Sequence, residues 1–106
     1  MDDRYAECRE VWVDAPAGSA SLCALINGSL GCLMYLREPG DTGFTSRNPD
    51  YAGGLHEVVE YRLSNGQVDE YPAHWALPLE VVERALEYFR STGKQPDFVV
   101  WNDDAI

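Results

Sequence analysis

The sequence predicts an α+β domain: an antiparallel sheet of about five to six strands with one C-terminal amphipathic helix packed on a face. Three observations carry this. Short apolar runs alternate with turn residues through most of the chain, two of the turns contain Asn-Gly, and one late stretch changes to a helical period. With 106 residues, 45% of them hydrophobic, there is material for one core, so residues 1–106 read as a single domain.

Val11-Trp12-Val13, between Glu10 and Asp14, is the first expected strand, ended by Pro16 and Gly18. Leu22 to Ile26 then meets Asn27-Gly28 and resumes as Leu30 to Leu36, a hairpin signature because both turn residues tolerate positive φ. A loop of Asn27-Gly28 pairs Ile26 with Ser29. It places Leu25 opposite Leu30 and Cys23 opposite Cys32 on one face, and Leu22 opposite Leu33 on the other. Both faces are apolar, so this hairpin belongs in the middle of the sheet, and Cys23 and Cys32 read as small core residues.

Arg37 to Gly54 holds four of the nine glycines and two of the six prolines, which disfavours continuous regular structure, although a short strand fits around Phe44-Thr45-Ser46. Leu55 to Leu63 largely alternates and is followed by a second turn, Ser64-Asn65-Gly66-Gln67, and by Val68 to Tyr71. A two-residue Asn65-Gly66 loop sets Leu63 opposite Val68 and Arg62 opposite Asp69, the latter as an exposed ion pair. Leu55, Val59, Tyr61, Leu63 and Val68 are then core-facing.

Pro78 opens the helix. Leu79, Val82, Leu86 and Phe89 form its apolar stripe, widened by Val81, Ala85 and Tyr88. Glu80 and Arg90 suit the two ends of the helix dipole, and Gly93 with Pro96 marks the stop. Phe98-Val99-Val100-Trp101 is the last expected strand, followed by the acidic tail Asn102 to Ile106.

Eight Lys+Arg against 18 Asp+Glu leave a net charge of −10, and Lys94 is the only lysine, so direct nucleic-acid binding is disfavoured and a cationic partner is the natural counterpart. No apolar run reaches the ~20 residues of a membrane span, and the first residues have neither the basic nor the apolar region of a secretion signal. Three cysteines at spacings of 15 and 9 residues make no disulfide framework, which points to reduced thiols and a cytoplasmic location.

Catalysis needs a nucleophile beside a base, a split pair of carboxyls or a metal cage. His56 and His74 lack ligand spacing. Asp69-Glu70 point to opposite faces of a strand, and Asp2-Asp3 and Asp103-Asp104 lie near the termini. No phosphate-binding or nucleophile-elbow motif occurs. The expectation is therefore no catalytic residue, no metal and no cofactor. The Arg37–Gly54 loop instead combines Glu38, Asp41 and Asp50 with Phe44 and Tyr51, acids and aromatics suited to a basic protein surface. Phe44 and Tyr51 either anchor a partner or fold the loop over the core; Trp75, in Tyr71 to Pro78, is open in the same way, with core preferred.

Val58-Val59-Glu60-Tyr61, the Asn65-Gly66 turn, Glu70-Tyr71-Pro72, Leu77-Pro78 at the helix start and Gly93 to Trp101 together resemble the polymorphic-toxin immunity proteins of family one. Those chains end in a helix followed by G-x-x-P-x-x-V-x-W, and Gly93, Pro96, Val99 and Trp101 stand at those places. The resemblance is clearest from Leu55 to Asn102 and looser from Leu22 to Gly54. It implies a protein encoded beside a toxin and protecting the producing cell by binding it. The most similar members include partners of DNA cytosine deaminases, zinc-dependent enzymes with a basic substrate channel. The implied partner is thus a basic, zinc-dependent nucleic-acid deaminase, blocked at its channel and active site. The motif residues read as structural, so none is carried over as toxin-contacting. The expected contact set is Glu38, Asp41, Phe44, Asp50 and Tyr51, joined by Glu57 and Glu60 on a strand face. A nuclease toxin would be served by the same acidity; a small enzyme, a ligand-binding domain or a secretion chaperone would instead need a deep pocket or an apolar groove.

Overall fold

The computed structural model describes residues 5–106, so Asp2 and Asp3 lie outside the described residues. The chain runs β1 (Cys8–Asp14), β2 (Ser21–Asn27), β3 (Leu30–Leu36), β4 (Phe44–Arg47), β5 (Val58–Arg62), β6 (Val68–Pro72), a 3-10 turn (Ala73–Trp75), β7 (Leu77–Pro78), α1 (Leu79–Thr92) and β8 (Val100–Asp103). The expected α+β architecture is present. Six strands form an antiparallel sheet in the order β1-β2-β3-β4-β8, with β7 pairing β3 beyond the end of β4. Strands β5 and β6 pair only with each other and form a second layer.

Helix α1 covers one face of the sheet. Val82, Ala85, Leu86 and Phe89 meet Val13, Leu22, Ala24, Ile26, Leu33, Leu77 and Val99. The β5–β6 hairpin crosses the other face, where Tyr61, Val59, Leu63, Tyr71 and Trp75 pack on Cys23, Leu25, Cys32 and Met34. The β2–β3 hairpin is therefore apolar on both sides because it is covered on both sides, as its composition requires. The helix stops where expected: Gly93 takes φ +71, and its N–H bonds Phe89 O at 2.7 Å.

The register of β2–β3 differs from expectation by two residues. Asn27 pairs Leu30, Leu25 pairs Cys32 and Cys23 pairs Met34, so the loop is Gly28-Ser29. Only Gly28 has positive φ, +62, the pattern of a type II′ turn with glycine first. Asn27 remains in the strand, where its Nδ2 donates to Glu60 O at 2.9 Å and ties the sheet to β5. A two-residue shift preserves the pleat parity, so Cys23 and Cys32 share a face without being cross-strand partners.

In β5–β6 the shift is a single residue and therefore changes faces. The loop has three residues, Ser64-Asn65-Gly66. Gly66 has φ +91, its N–H bonds Leu63 O, and Leu63 N–H bonds Gln67 O. Arg62 opposes Val68, and Tyr61 opposes Asp69. Val59, Tyr61 and Leu63 do face the core, but Val68 is 38% exposed, and the expected Arg62–Asp69 pair is replaced by side chains on opposite faces. Leu55 precedes the strand and is 81% exposed, so it is not core. Strand β8 begins at Val100 rather than Phe98, because only from there does β4 lie alongside to pair.

Candidate functional site

The 37–54 segment is not one surface, because β4 interrupts it. At its first end, Arg37 and Asp41 clasp each other: Arg37 N and Nε donate to Asp41 Oδ2 at 3.0 and 2.9 Å, and Nη2 donates to Oδ1 at 2.9 Å. Hydrogen bonds from Arg37 hold the Asp41 carboxyl far below the usual carboxylate range. The guanidinium lies 5.2 Å from the centre of the Phe44 ring, whose other neighbour is Tyr35 at 6.0 Å. Phe44 is thus half-buried in a stack, Asp41 closes its own loop, and Glu38 is exposed. Gly43 permits the tight return, since its φ is +83 and a Cβ there would stand 2.9 Å from Tyr35 O.

At the other end of β4, Asn48 organises the chain. Its N–H bonds His74 O at 2.7 Å and its Nδ2 bonds Ala76 O at 3.0 Å, while its Oδ1 and O accept from Asp50 and Tyr51 N–H. Asp50 is exposed and Tyr51 half-buried. The Tyr51 hydroxyl is 2.7 Å from Glu57 Oε2 and 2.9 Å from Gly54 O; its single proton goes to the carboxylate, the stronger acceptor, and that contact raises the phenol pKa. Glu60 lies farther along β5, accepting from Tyr5 OH at 3.3 Å. The seven candidate residues therefore form two groups, Glu38/Asp41/Phe44 and Asp50/Tyr51/Glu57, with Glu60 apart.

Trp75 is packed rather than presented. It stacks on Tyr71 with 5.6 Å between centroids, and Arg47 covers its other side at 4.3 Å. Ser46, wholly buried, fixes this turn to the sheet: its Oγ donates to Trp75 O at 2.8 Å and accepts from Leu33 N–H at 3.0 Å. On the helix face, Trp101 Nε1 donates to Pro96 O at 2.8 Å, so Pro96 and Trp101 brace the loop after α1.

One feature escaped the sequence reading: a cleft of about 250 Å³ where β4 ends and β7 begins, lined by Asn48, Asp50, Leu77, Val81, Phe98 and Val100 among others. Phe98 and Val100 are 37% and 51% exposed, with Arg84 over the Phe98 ring at 4.5 Å. The signal was the alternation of Phe98, Val100 and Asn102 with Val99, Trp101 and Asp103, which marks an outward row in a run that looks wholly apolar at first.

Among the described residues, no group of three or more His, Cys, Asp or Glu could hold a metal ion. Burial raises the Cys23 thiol to about 12 and the Cys32 thiol to about 11, which makes both unreactive. Buried His74 Nδ1 has no hydrogen-bond partner among the described residues, and its ring stands 6.3 Å from that of Tyr51. None of the described helices is long and apolar enough to cross a membrane.

No curated protein and no solved structure matches the chain. A family model does, that of immunity protein Imm1, over residues 3–103. This span takes in both layers of the fold, the helix and both groups of candidate residues, so the chain belongs to the Imm1 family of immunity proteins.

Proposed function

We propose that this immunity protein inhibits a nucleic-acid deaminase toxin in the cytoplasm by occupying its basic substrate channel, with no reaction or cofactor of its own. The observation that carries the reading is the net charge of −10 on 106 residues. A deaminase channel built to hold a phosphate backbone attracts such a surface and is closed by it. The choice of deaminase over nuclease rests on the resemblance of the chain to family members that include partners of DNA cytosine deaminases. An ordinary interface takes ~800 Å² from each partner, about one eighth of this chain's 6355 Å² surface.

Glu38, Asp41, Phe44, Asp50, Tyr51, Glu57 and Glu60 are the proposed contacts. Their division into two groups makes Asp50, Tyr51 and Glu57 the more accessible set, because Arg37 already engages Asp41 and covers Phe44. The test is to purify the toxin domain encoded beside this chain and titrate its deamination of single-stranded and duplex DNA and of RNA. Complete inhibition at one equivalent, with an association rate that falls as salt rises, is the expected result. Nuclease activity in that domain would replace the deaminase assignment. An active domain unaffected by excess chain would refute the reading.

A further inference from the structure

The main path of the sheet ends on β1 at one side and β8 at the other, with the two-residue β7 paired to β3 alone, and β8 is the one built to receive another. Asp104 N–H bonds Gly43 O, so by antiparallel alternation the main-chain groups of Asn102 and Val100 also turn toward β4, whereas those of Trp101 and Asp103 turn away. Asp103 O is taken by Ile106 N–H. Trp101 N–H and C=O and Asp103 N–H are left along an open edge, since no described strand lies beyond β8. Open edges are normally blunted by very short strands, charge, proline or a bulge. This edge is four residues long and ends on Asp103, but it has no lysine, proline or bulge. It carries exposed Val100 and ends at the cleft that Phe98 borders.

The charge along this edge specifies the occupant. Asp97 to Asp104 contains three aspartates and no basic residue; of the arginines beside it, Arg47 lines the cleft but bonds Thr45 Oγ1 and Ser46 O, and Arg84 lies over the Phe98 ring. A segment that pairs with β8 has one side chain within reach of the cleft and others near Asp97, Asp103 and Asp104, a pattern that calls for apolar and basic residues in alternation. The opposite edge, β1, is also acidic and carries Trp12, 54% exposed, but Arg9 interrupts its charge, Trp12 Nε1 donates to Glu10 Oε2 at 2.7 Å, and Glu10 Oε1 is engaged by Ser64 N–H at 2.9 Å.

We infer that an extended basic and apolar segment of the cognate toxin adds to the sheet as a strand on β8, with an apolar side chain in the cleft. The inference rests on the immunity reading and says where and how the toxin is held. In β-strand addition, main-chain bonds give affinity and the adjoining pocket gives selectivity. The edge also joins the two groups of candidate residues, since β8 runs beside β4 from Phe44 to Arg47.

The test uses the whole chain and the toxin domain encoded beside it. In the complex, amide exchange at Trp101 and Asp103 should slow at least tenfold, with little change along β1. Asp103→Pro removes an outward N–H without touching the bonds to β4, whereas Asp103→Ala keeps that N–H. The proline variant should bind at least tenfold more weakly than the alanine variant, and Val100→Lys at least tenfold more weakly than wild type. Melting of each free variant separates misfolding from lost contact. The exchange measurement on wild-type protein stands even if a variant fails to fold. A wild-type complex with unchanged exchange at both amides overturns the inference and leaves the immunity reading intact. So does a free chain that dimerises through β8. Absence of any complex with the wild-type chain overturns both.

Discussion

Replacing Ser46 with alanine should destabilise the fold by about 2–4 kcal/mol, an effect of one hydroxyl. Ser46 Oγ accepts from Leu33 N–H at 3.0 Å and donates to Trp75 O at 2.8 Å. Leu33 is wholly buried, so its N–H would lose its partner with no water to replace it, at ~1–3 kcal/mol. Trp75 is half-buried and its carbonyl can be partly rehydrated, which keeps the second loss near ~1 kcal/mol. Urea unfolding followed by tryptophan fluorescence would show a lower midpoint at unchanged m, and the melting temperature should fall by roughly 10–30 °C. Ser46 joins the sheet to the Ala73–Trp75 turn, beside which His74 O and Ala76 O hold Asn48, and Asn48 O holds the Tyr51 N–H, so the amides of Asn48 and Tyr51 should exchange faster in the variant. A loss below about 1 kcal/mol, or a loss without that faster exchange, would refute the account of Ser46 as the fastener between layers.

In native protein at pH 8, a disulfide-exchange reagent should modify Cys8 rapidly and leave Cys23 and Cys32 unmodified, with all three reacting after unfolding; burial holds the latter two thiols at about 12 and about 11. Gly93→Ala should cost ~1–2 kcal/mol in urea unfolding, because φ +71 is strained for alanine, and its Cβ would meet Pro16 Cδ at 3.2 Å. Asp41→Asn should loosen the Arg37–Phe44 corner, seen as faster amide exchange at Asp41 and Gly43. Because the folded carboxyl is depressed relative to the unfolded one, the clasp is fully present above the ordinary carboxylate pKa of ~3.9. It weakens as pH falls further, so wild type and variant should converge only in strong acid.

The parts legible in the sequence are those in which local chemistry has a single outcome. Leu79 to Phe89 can bury its stripe only as a helix, and Gly93 stops it because the next residue has to turn left-handed. Leu22 to Leu36 must be covered on both faces because neither face is polar. The acidity that underlies the proposed inhibition is summed over residues and needs no coordinates at all.

Register, pairing partners and exposure were decided by tertiary structure. An Asn-Gly dipeptide fits more than one tight turn: Asn27 was drawn into β2 by its bond to Glu60 O in the other layer, and Gly66 took the left-handed place in a three-residue loop. The first shift moved two residues and kept the faces; the second moved one and turned Val68 outward. Phe44, Tyr51 and Trp75 could be read as presented or packed until the fold brought Tyr35, Glu57 and Arg47 against them. Among the described strands, the order of pairing is what leaves β8 at an edge, since its sequence does not say which neighbour it takes. The sequence determined which surfaces had to be buried and what charge the rest would carry; only long-range packing decided which of the remaining residues face a partner.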